Sequence, residues 1–552
     1  MKRPVSKGGR IDLSPYLLVV TVCLFFLLSG MLVLGLRDIY GMEARIGLFV
    51  RGMFSGKGLF CPLLYGKPYP DYPPLYFLAS LAFCKPVGHV CSMCLSMPSL
   101  LSGASMLIIL FLVSKKHAGE SAALISSLIL AASPKFWSMA EGATIDMFLA
   151  LCCLLANISF FDGYGTQDKK PGHKRALGFL FMSLAYLVKG PIGLVISVMP
   201  TVVFLFIKRR TGSLLSFLSF VSLTSALVMG VYMIGIYSQG GLPLVKQVLN
   251  AQLFSRVSGP ANKPFYYYIE FLIVSFLPAL FLTGLFYRNR LVEMGKIFKQ
   301  YMKTDFGLFM AVFGVCSLLP FFLAASRHGR YLLPAFPPIA WLLACFLSQT
   351  IESETSGTKN LLKKLALILV AILYVAVLIL YLWDPFHSNV PLWSVIMFFF
   401  IGTLVLGAFR LLIDTRLVSV TCFLVSVVIV TAGVSLVIQP GISKRESGRR
   451  FVLDTEAKVK AGSVFLVKIR PDGDGLKYSL YSRYYPNRIH FLSSIEKVCD
   501  VPETGLLILY AKDLVRYKKN NMCLKRFSVI SKGYIHGKEV IALFGVPRAS
   551  LI

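Results

Sequence analysis

The sequence predicts a polytopic α-helical membrane protein with about thirteen transmembrane helices and a small C-terminal soluble domain. Of its 552 residues, 56% are apolar and only 15% are charged, and the mean hydropathy is +0.71. Soluble domains carry about 25% charged residues, so the composition excludes an ordinary soluble enzyme, a disordered chain and a fibrous protein. The apolar segments are roughly 17 to 25 residues long, which is enough to cross a bilayer as a helix.

The first predicted span covers residues 16–36. It follows the basic residues Lys2, Arg3, Lys7 and Arg10 and precedes a long polar loop, so it is typical of an uncleaved signal anchor. Twelve further spans are predicted at 93–113, 121–138, 146–162, 175–189, 191–207, 214–236, 266–286, 306–323, 332–350, 365–383, 391–411 and 417–437.

The charge distribution predicts the topology. The net charge of +31 would indicate a nucleic-acid partner in a soluble protein. Here the basic clusters at 115–116, 169–175, 208–210, 288–303, 359–364 and 410–416 all fall on one side of the predicted spans. Because cytoplasmic loops are enriched in Lys and Arg, these clusters predict a multi-pass membrane protein with a cytoplasmic N-terminus. No nucleic-acid partner is expected.

The odd number of spans places the tail outside the cytoplasm. We predict a membrane domain over residues 1–440, with a long outer loop at about 37–75. An extracytoplasmic domain follows over residues 441–552, where the short apolar runs GSVFLVKI, RIHFLSS, GLLILYA and EVIALFGV predict strands of a small α/β or α+β domain.

The cysteine distribution implies no disulfide framework. Most of the 12 cysteines lie in apolar segments, where a free thiol packs as a small hydrophobe. Cys91 and Cys94 form a CxxC motif without a second pair at zinc-site spacing, so packing in the core is favoured over a metal or redox role. Cys499 and Cys523 form a disulfide if the tail lies outside, and the sequence leaves that open.

Several cations on the predicted outer face depart from the positive-inside rule. They are either interfacial anchors or the lining of one cavity that binds a phosphate through charge-assisted hydrogen bonds. They are Arg37, Arg45, Arg51, Lys57, Lys67, Lys189, Lys246, Arg256, Lys263, Arg327 and Arg330. We expect Arg45, Arg256, Lys263, Arg327 and Arg330 to converge on one cavity, and Tyr331 adds either a hydroxyl donor or an interfacial aromatic ring.

Carboxylates near the outer span ends are functional candidates, because an acid at a membrane boundary is costly unless it is paired or hydrated. They are Asp38, Glu43, Asp71, Glu141, Asp146, Glu270 and Asp384. Glu43 lies beside Arg45, and Asp71 lies in the rigid stretch Tyr69-Pro-Asp-Tyr-Pro-Pro74, where it is otherwise a turn residue. Asp146 is either catalytic or a helix cap.

Motifs in consistent order carry a resemblance to a known family. They are Gly41-Met-Glu-Ala-Arg45, Arg51-Gly-Met53, Tyr65-Gly-Lys-Pro-Tyr-Pro-Asp-Tyr-Pro-Pro-Leu75, Thr144-Ile-Asp146, Leu187-Val-Lys-Gly190, Phe254-Ser-Arg256, Lys263-Pro-Phe-Tyr-Tyr-Tyr268 and Ser326-Arg-His-Gly-Arg-Tyr-Leu-Leu-Pro334. Together they resemble the ArnT/PMT-type glycosyltransferases of the GT-C class, which comprise the lipid A aminoarabinose transferases and polyprenyl-phosphate mannosyltransferase-like relatives.

The resemblance implies a GT-C fold and an enzyme that transfers a sugar from a polyprenyl-phosphate carrier to a lipid, glycan or protein acceptor at the outer face. It implies Glu43 as the catalytic base, assisted by Asp71 directly or through a divalent ion. Three positions depart from the family. Met42 replaces the first of two acids, Tyr72 replaces a phosphate-binding lysine, and Ala261 or Asn262 stands where a metal-associated histidine is expected. His328 is the substitute imidazole, unless it is a hydrogen-bonded interface residue.

The chemistry agrees with the residue types. A carboxylate suits deprotonation of an acceptor, and Arg and Lys suit the charge that develops on a phosphate leaving group. No glycine-rich nucleotide loop is present, so no nucleotide cofactor is expected. A transporter or flippase for an anionic lipid-linked solute is the main alternative, although its ionisable residues are expected nearer the bilayer midplane. A non-catalytic scaffold is a third hypothesis.

Overall fold

The computed structural model describes residues 14–166, 171–254, 263–264, 266–287, 291–323, 327–352, 364, 368, 371–372, 374–379, 381–383, 390–412, 418–517 and 522–545. The helices, in chain order, are α1 (Ser14–Leu36), α2 (Glu43–Met53), α3 (Leu75–Val87), α4 (Ser92–Ala118), α5 (Glu120–Ala131), α6 (Pro134–Ala140), α7 (Ile145–Phe160), α8 (Gly172–Lys189), α9 (Pro191–Ile207), α10 (Thr211–Leu249), α11 (Tyr266–Tyr287), α12 (Leu291–Met302), α13 (Asp305–Leu323), α14 (Phe336–Glu352), α15 (Leu392–Leu412), α16 (Val418–Ser447), α17 (Arg449–Lys458), α18 (Asp474–Tyr481) and α19 (Ala511–Tyr517).

The helical part is a multi-pass membrane domain. Among the described residues, eight helices are long and apolar enough to cross a bilayer, namely α1, α4, α7, α10, α11, α13, α14 and α16. The bent pair α5 and α6 makes a ninth if the two helices form one span. The polytopic architecture is confirmed, while the count of thirteen stays a prediction. The predicted span 365–383 is described in part, and its described positions, among them 374–379 and 381–383, are helical.

Two helices close to the first predicted span were not predicted from the sequence. Helix α2 lies in the predicted outer loop, and α3 lies between that loop and the second predicted span. The predicted span 121–138 is broken into α5 and α6, which meet at 65° where Ser133 caps α6 and Pro134 begins it. Proline is well tolerated at a first helical position and cannot continue a preceding helix, so the break follows from the local sequence.

The C-terminal domain contains a five-stranded mixed sheet. Its strands are β3 (Ser463–Val467), β4 (Ile489–Leu492), β5 (Gly505–Tyr510), β6 (Phe527–Ile535) and β7 (Lys538–Gly545), and a two-stranded hairpin, β1 (Leu63–Leu64) with β2 (Lys67–Pro68), lies in the outer loop. The order β4-β3-β5-β7-β6 combines parallel pairs on one side with antiparallel pairs on the other. This arrangement confirms the predicted small sheet domain. The edge strand β6 was missed, because only its ends are buried.

The sheet domain packs on α2 and on the segment that precedes it. Arg51 Nη1 donates hydrogen bonds to the carbonyls of Ser479, Leu480 and Ser482 at 3.2, 2.9 and 2.9 Å. The Tyr481 hydroxyl donates to the Ile39 carbonyl at 3.0 Å and accepts from the Ile39 amide at 2.9 Å. The same chain segment therefore contacts the sheet domain and leads into α2, which begins at Glu43.

Candidate active site

A cavity of about 230 Å³ lies where the start of α2, the loop before α7 and the end of α8 meet. Five of the residues predicted from the sequence line it: Glu43, Arg45, Asp146, Lys189 and Arg330. Tyr72, the residue at the family's lysine position, also lines the cavity. The lining carries three cations and two carboxylates, so the cavity has a net positive charge at neutral pH.

The two carboxylate oxygens of Glu43 differ, because one accepts hydrogen bonds from the protein and the other does not. Its Oε1 accepts hydrogen bonds from Arg37 Nη2 at 2.7 Å and from the Ala143 amide at 3.1 Å. Its Oε2 is buried and has no hydrogen-bond partner. Glu43 lies close to the loop before α7, and a Cβ at position 142 of that loop would lie 3.0 Å from Glu43 Oε1. Glycine at this position therefore leaves room for the carboxylate. The protein thus fixes the carboxylate through one oxygen and leaves the other oxygen buried without a protein partner.

Arg37 is the residue that positions Glu43. Its side chain is 2% exposed, and its Nη2 also donates to the Glu141 carbonyl at 2.7 Å. The Glu141 carboxylate accepts a hydrogen bond from Ser435 on α16. Burial raises the pKa of Glu141 to about 7, although the nearby Arg37 opposes that shift. The sequence placed Arg37 among the outer cations but gave no reason to separate it from the others as the partner of Glu43.

Asp146 lies in the first turn of α7 and is paired with two cations. Lys189 Nζ bonds to its Oδ1, and Arg330 Nε lies 3.3 Å from its Oδ2. Lys189 lies at the end of α8, where its Nζ is also 3.9 Å from the centre of the Tyr331 ring. The side chains of Asp146 and Lys189 are both buried. Asp146 therefore orients Lys189 and Arg330, and with both oxygens engaged it is a poorer candidate for the base than Glu43.

Asp71 is linked to Arg45 of the cavity through the Tyr69 side chain. Arg45 Nη1 donates to the Tyr69 hydroxyl at 2.8 Å, and Tyr69 hydrogen bonds to the Asp71 carboxylate. Burial, and next the charge of Asp71, raise the pKa of Tyr69. Because the phenol stays protonated, it donates to Asp71 while it accepts from Arg45. Asp71 is not among the residues that line the cavity, so its predicted role beside Glu43 stays a prediction.

Two other predicted phosphate ligands, Arg327 and Lys263, contact each other outside the cavity lining. Arg327 Nη1 donates to the Lys263 carbonyl at 2.6 Å, and Lys263 Nζ lies 3.8 Å from the centre of the Tyr267 ring. Neither Arg327 nor Lys263 lines the cavity. Arg256 lies outside the described residues. Convergence of all five predicted phosphate ligands on one cavity therefore stays a prediction, with Arg45 and Arg330 placed in it.

The described residues do not fit the predicted divalent-metal site. No group of three or more His, Cys, Asp or Glu side chains suited to a metal ion occurs in the described part of the chain. Burial lowers the pKa of His328, and the positive charges of Arg330 and Lys263 lower it further. A divalent cation next to those charges is repelled, and Asp71 already accepts from Tyr69. The mechanism below therefore uses no metal ion.

Part of the sequence is similar to that of known glycosyltransferases. Residues 71–234 match a family model described as dolichyl-phosphate-mannose-protein mannosyltransferase. An undecaprenyl phosphate-alpha-4-amino-4-deoxy-L-arabinose arabinosyl transferase of Erwinia tasmaniensis is 26% identical over 301 residues, which cover 52% of this chain and 51% of the relative. The transferase of the same name from Shewanella sediminis is 24% identical over 364 residues, covering 63% of each chain. These sequence matches span between about half and two thirds of each relative.

The fold comparison extends over nearly the whole chain. The crystal structure of ArnT from Cupriavidus metallidurans bound to undecaprenyl phosphate superimposes with a TM-score of 0.72 over 96% of this chain and 98% of that chain, at 15% identity. The chain is similar to the ArnT-type glycosyltransferases in sequence and has their fold. The resemblance seen in the sequence motifs is thereby confirmed.

Proposed function

We propose that this chain is an integral-membrane glycosyltransferase that moves a sugar from a polyprenyl-phosphate carrier to an acceptor at the outer face of the membrane. The observation that supports this proposal best is a pair of buried polar atoms that have no hydrogen-bond partner. Glu43 Oε2 and Arg45 Nε are both buried without a hydrogen-bond partner, and both residues line the same cavity. Buried polar atoms are rarely left unsatisfied, so this acceptor and this donor are suited to a bound substrate.

The reaction assigns separate tasks to the two kinds of group. Glu43 Oε2 accepts the proton of the acceptor nucleophile, whose oxygen then attacks the anomeric carbon of the sugar. The bond between that carbon and the phosphate oxygen breaks through an oxocarbenium-like state, as is general for glycosyl transfer. The released phosphate retains the bonding electrons, and Arg45, Lys189 and Arg330 stabilise its charge. Asp146 holds Lys189 and Arg330 in place for that contact.

The names of the similar proteins narrow the donor. The sequence relatives are named for undecaprenyl phosphate and 4-amino-4-deoxy-L-arabinose, and the ArnT structure holds undecaprenyl phosphate. We therefore extend to this chain an undecaprenyl-phosphate-linked sugar as donor and a lipid such as lipid A as the first acceptor to test. Met42 replaces an acid that the resembling family carries at this position. Because of this departure from the family, both pentosyl and hexosyl donors are to be tested. The proposal places the enzyme in the inner membrane with its sheet domain outside the cytoplasm.

The test is a donor screen with the full chain in detergent. Undecaprenyl phosphate carrying 4-amino-4-deoxy-arabinose or a hexose is supplied with lipid A or other membrane lipids, and mass spectrometry follows the acceptor. We expect one donor class to give a sugar-modified product and free undecaprenyl phosphate. Removing one charge-assisted contact in Arg330→Gln should weaken donor binding roughly 10- to 150-fold. Arg450→Gln is the control, because Arg450 lies exposed on α17.

Two results contradict the proposal. One is the absence of transfer with every donor from a preparation in which hydrogen exchange shows folded membrane helices. The other favours the transport alternative: reconstituted protein moves a labelled polyprenyl phosphate across vesicles while it transfers no sugar.

A further inference from the structure

Three cysteines cluster where α3 ends and α4 begins. Cys84 and Cys94 form a disulfide with a Cα to Cα distance of 4.9 Å, while Cys91 remains a thiol. The expectation that Cys94 packs as a free thiol, with no disulfide framework in the chain, is therefore wrong, whereas Cys91 does remain a thiol. Cys94 pairs with a cysteine ten residues earlier, which the CxxC spacing alone does not reveal.

The backbone places the Cys91 thiol next to this disulfide. Cys91 caps the N-terminus of α4, where its Sγ accepts the Cys94 amide at 3.4 Å. Reciprocally, the Cys91 amide donates to Cys94 Sγ at 3.3 Å. These paired contacts hold both sulfurs on the same side of one helical turn. A CxxC pair at a helix start is the arrangement in which two cysteines of one turn form a disulfide.

The surroundings of the three sulfurs differ. Cys91 is partly exposed and lines a second cavity, of about 850 Å³, together with Arg37 and Arg449. Arg449 lies in that cavity through an ion pair with Asp38, whose Oδ1 is 2.9 Å from Arg449 Nη1. Cys84 is fully buried. Reactive cysteines occupy electropositive, partly exposed positions, so Cys91 has the position of the attacking group and Cys84 that of the leaving group.

We propose that Cys84, Cys91 and Cys94 form a thiol–disulfide exchange site. The Cys91 thiol loses its proton to solvent, and its sulfur attacks Cys94 Sγ. A Cys91–Cys94 bond forms, the Cys84–Cys94 bond breaks, and Cys84 leaves as a thiolate that takes up a proton. The step has no net oxidation and needs no further reactant.

The exchange would change a constraint close to the candidate active site. The disulfide joins α3 to α4, whereas the alternative bond lies within the first turn of α4. Helix α3 packs on α2, where the Phe49 and Phe77 ring centres are 5.1 Å apart. Exchange therefore releases the end of α3, which supports the helix that begins at Glu43. The inference concerns the cysteines themselves and does not depend on the proposed transfer activity.

Non-reducing peptide mapping tests the site. The full chain in detergent is quenched in acid, alkylated with N-ethylmaleimide and digested. In the wild type we expect mainly the Cys84–Cys94 link with alkylated Cys91, and a minor Cys91–Cys94 link with alkylated Cys84. After oxidised glutathione, Cys84→Ser should contain the Cys91–Cys94 link, whereas Cys91→Ser should retain Cys84–Cys94. An intact Cys499–Cys523 link verifies the fold of the sheet domain in each variant.

The proposal fails if the Cys91–Cys94 link is found neither in the wild type nor in Cys84→Ser. A second measurement tests the role of Arg449 without removing any cysteine. Arg449→Gln should slow alkylation of Cys91 by N-ethylmaleimide several-fold, and Arg450→Gln should leave the rate unchanged. Equal rates in Arg449→Gln and wild type would overturn the assignment of Cys91 as the attacking group.

Discussion

Two glutamates, one in the membrane domain and one in the sheet domain, are held in opposite ways. Glu456 on α17 accepts hydrogen bonds from the Tyr478 and Ser482 hydroxyls through Oε1, and from the Arg483 amide through Oε2. Glu43 uses only Oε1, and its Oε2 is buried without a partner. Both side chains are largely removed from solvent, with 5% and 14% exposure.

The difference separates a structural carboxylate from one that awaits a ligand. Filling every lone-pair direction of a buried carboxylate stabilises the fold, because an unmet acceptor costs about 1–3 kcal/mol. Glu43 Oε2 lacks such a partner, so the free protein is less stable by that amount, and a substrate that donates a hydrogen bond to Oε2 offsets the loss. Asp146 lies in the same cavity as Glu43 but resembles Glu456, since cations engage both its oxygens. Proximity to the cavity is therefore a weaker guide to catalysis than the state of each oxygen.

The largest expected effect is on Glu43. Glu43→Gln retains an oxygen that accepts from Arg37 and Ala143, but it removes the base. We expect sugar transfer to fall about 10²- to 10⁴-fold with little change in thermal unfolding. Glu120→Gln is the matched control, because Glu120 pairs with Lys115 in the last turn of α4 and does not line the cavity. Wild-type turnover in Glu43→Gln would disprove the base assignment.

Asp146 tests whether a residue in the cavity behaves as a structural acid. Asp146→Asn leaves the buried Lys189 charge without its carboxylate, so the free energy of unfolding should fall by about 3–5 kcal/mol. The double variant Asp146→Asn with Lys189→Met should recover much of that loss but not donor binding. Chemical denaturation in detergent and donor titration measure the two effects. If Asp146→Asn keeps full stability and loses only turnover, Asp146 becomes the preferred base.

Glu456 is the structural carboxylate of the comparison, so its replacement should change stability and not catalysis. Glu456→Ala leaves the Tyr478 and Ser482 hydroxyls and the Arg483 amide without their acceptor, and should destabilise the sheet domain by about 1–3 kcal/mol. Hydrogen exchange in β3 and β5 should rise, while the folded fraction retains its transfer rate. A loss of turnover larger than the loss of folded protein would remove the contrast with Glu43.

Tyr69 should show the smallest effect. Tyr69→Phe deletes the hydroxyl that joins Arg45 to Asp71 but keeps the ring, which packs against Phe49. The net worth of such a bond is about 0.5–1.5 kcal/mol, so donor binding should weaken roughly 2- to 12-fold. Isothermal titration with undecaprenyl phosphate measures it. An effect as large as that of Arg330→Gln would show that Asp71 acts on the substrate through Tyr69 more directly than the structure suggests.

The sequence by itself determined the membrane architecture and most members of the site. Long apolar segments specify spanning helices because a backbone in lipid has to satisfy its own hydrogen bonds. Basic clusters on one side of the spans left a short set of cations and acids to consider. Glu43, Arg45, Asp146, Lys189 and Arg330 came from that set, and they line one cavity.

Only the tertiary structure decided which acid is open and which is paired. The bonds of Glu43 come from Arg37 and from a loop 100 residues later, and those of Asp146 come from the end of α8 and the turn at Arg330. The pairing of Cys84 with Cys94 and the link from Arg45 through Tyr69 to Asp71 were likewise absent from the sequence pattern. Hydropathy depends on residue types along one segment, whereas hydrogen bonds between segments depend on how the helices pack, which no local pattern encodes.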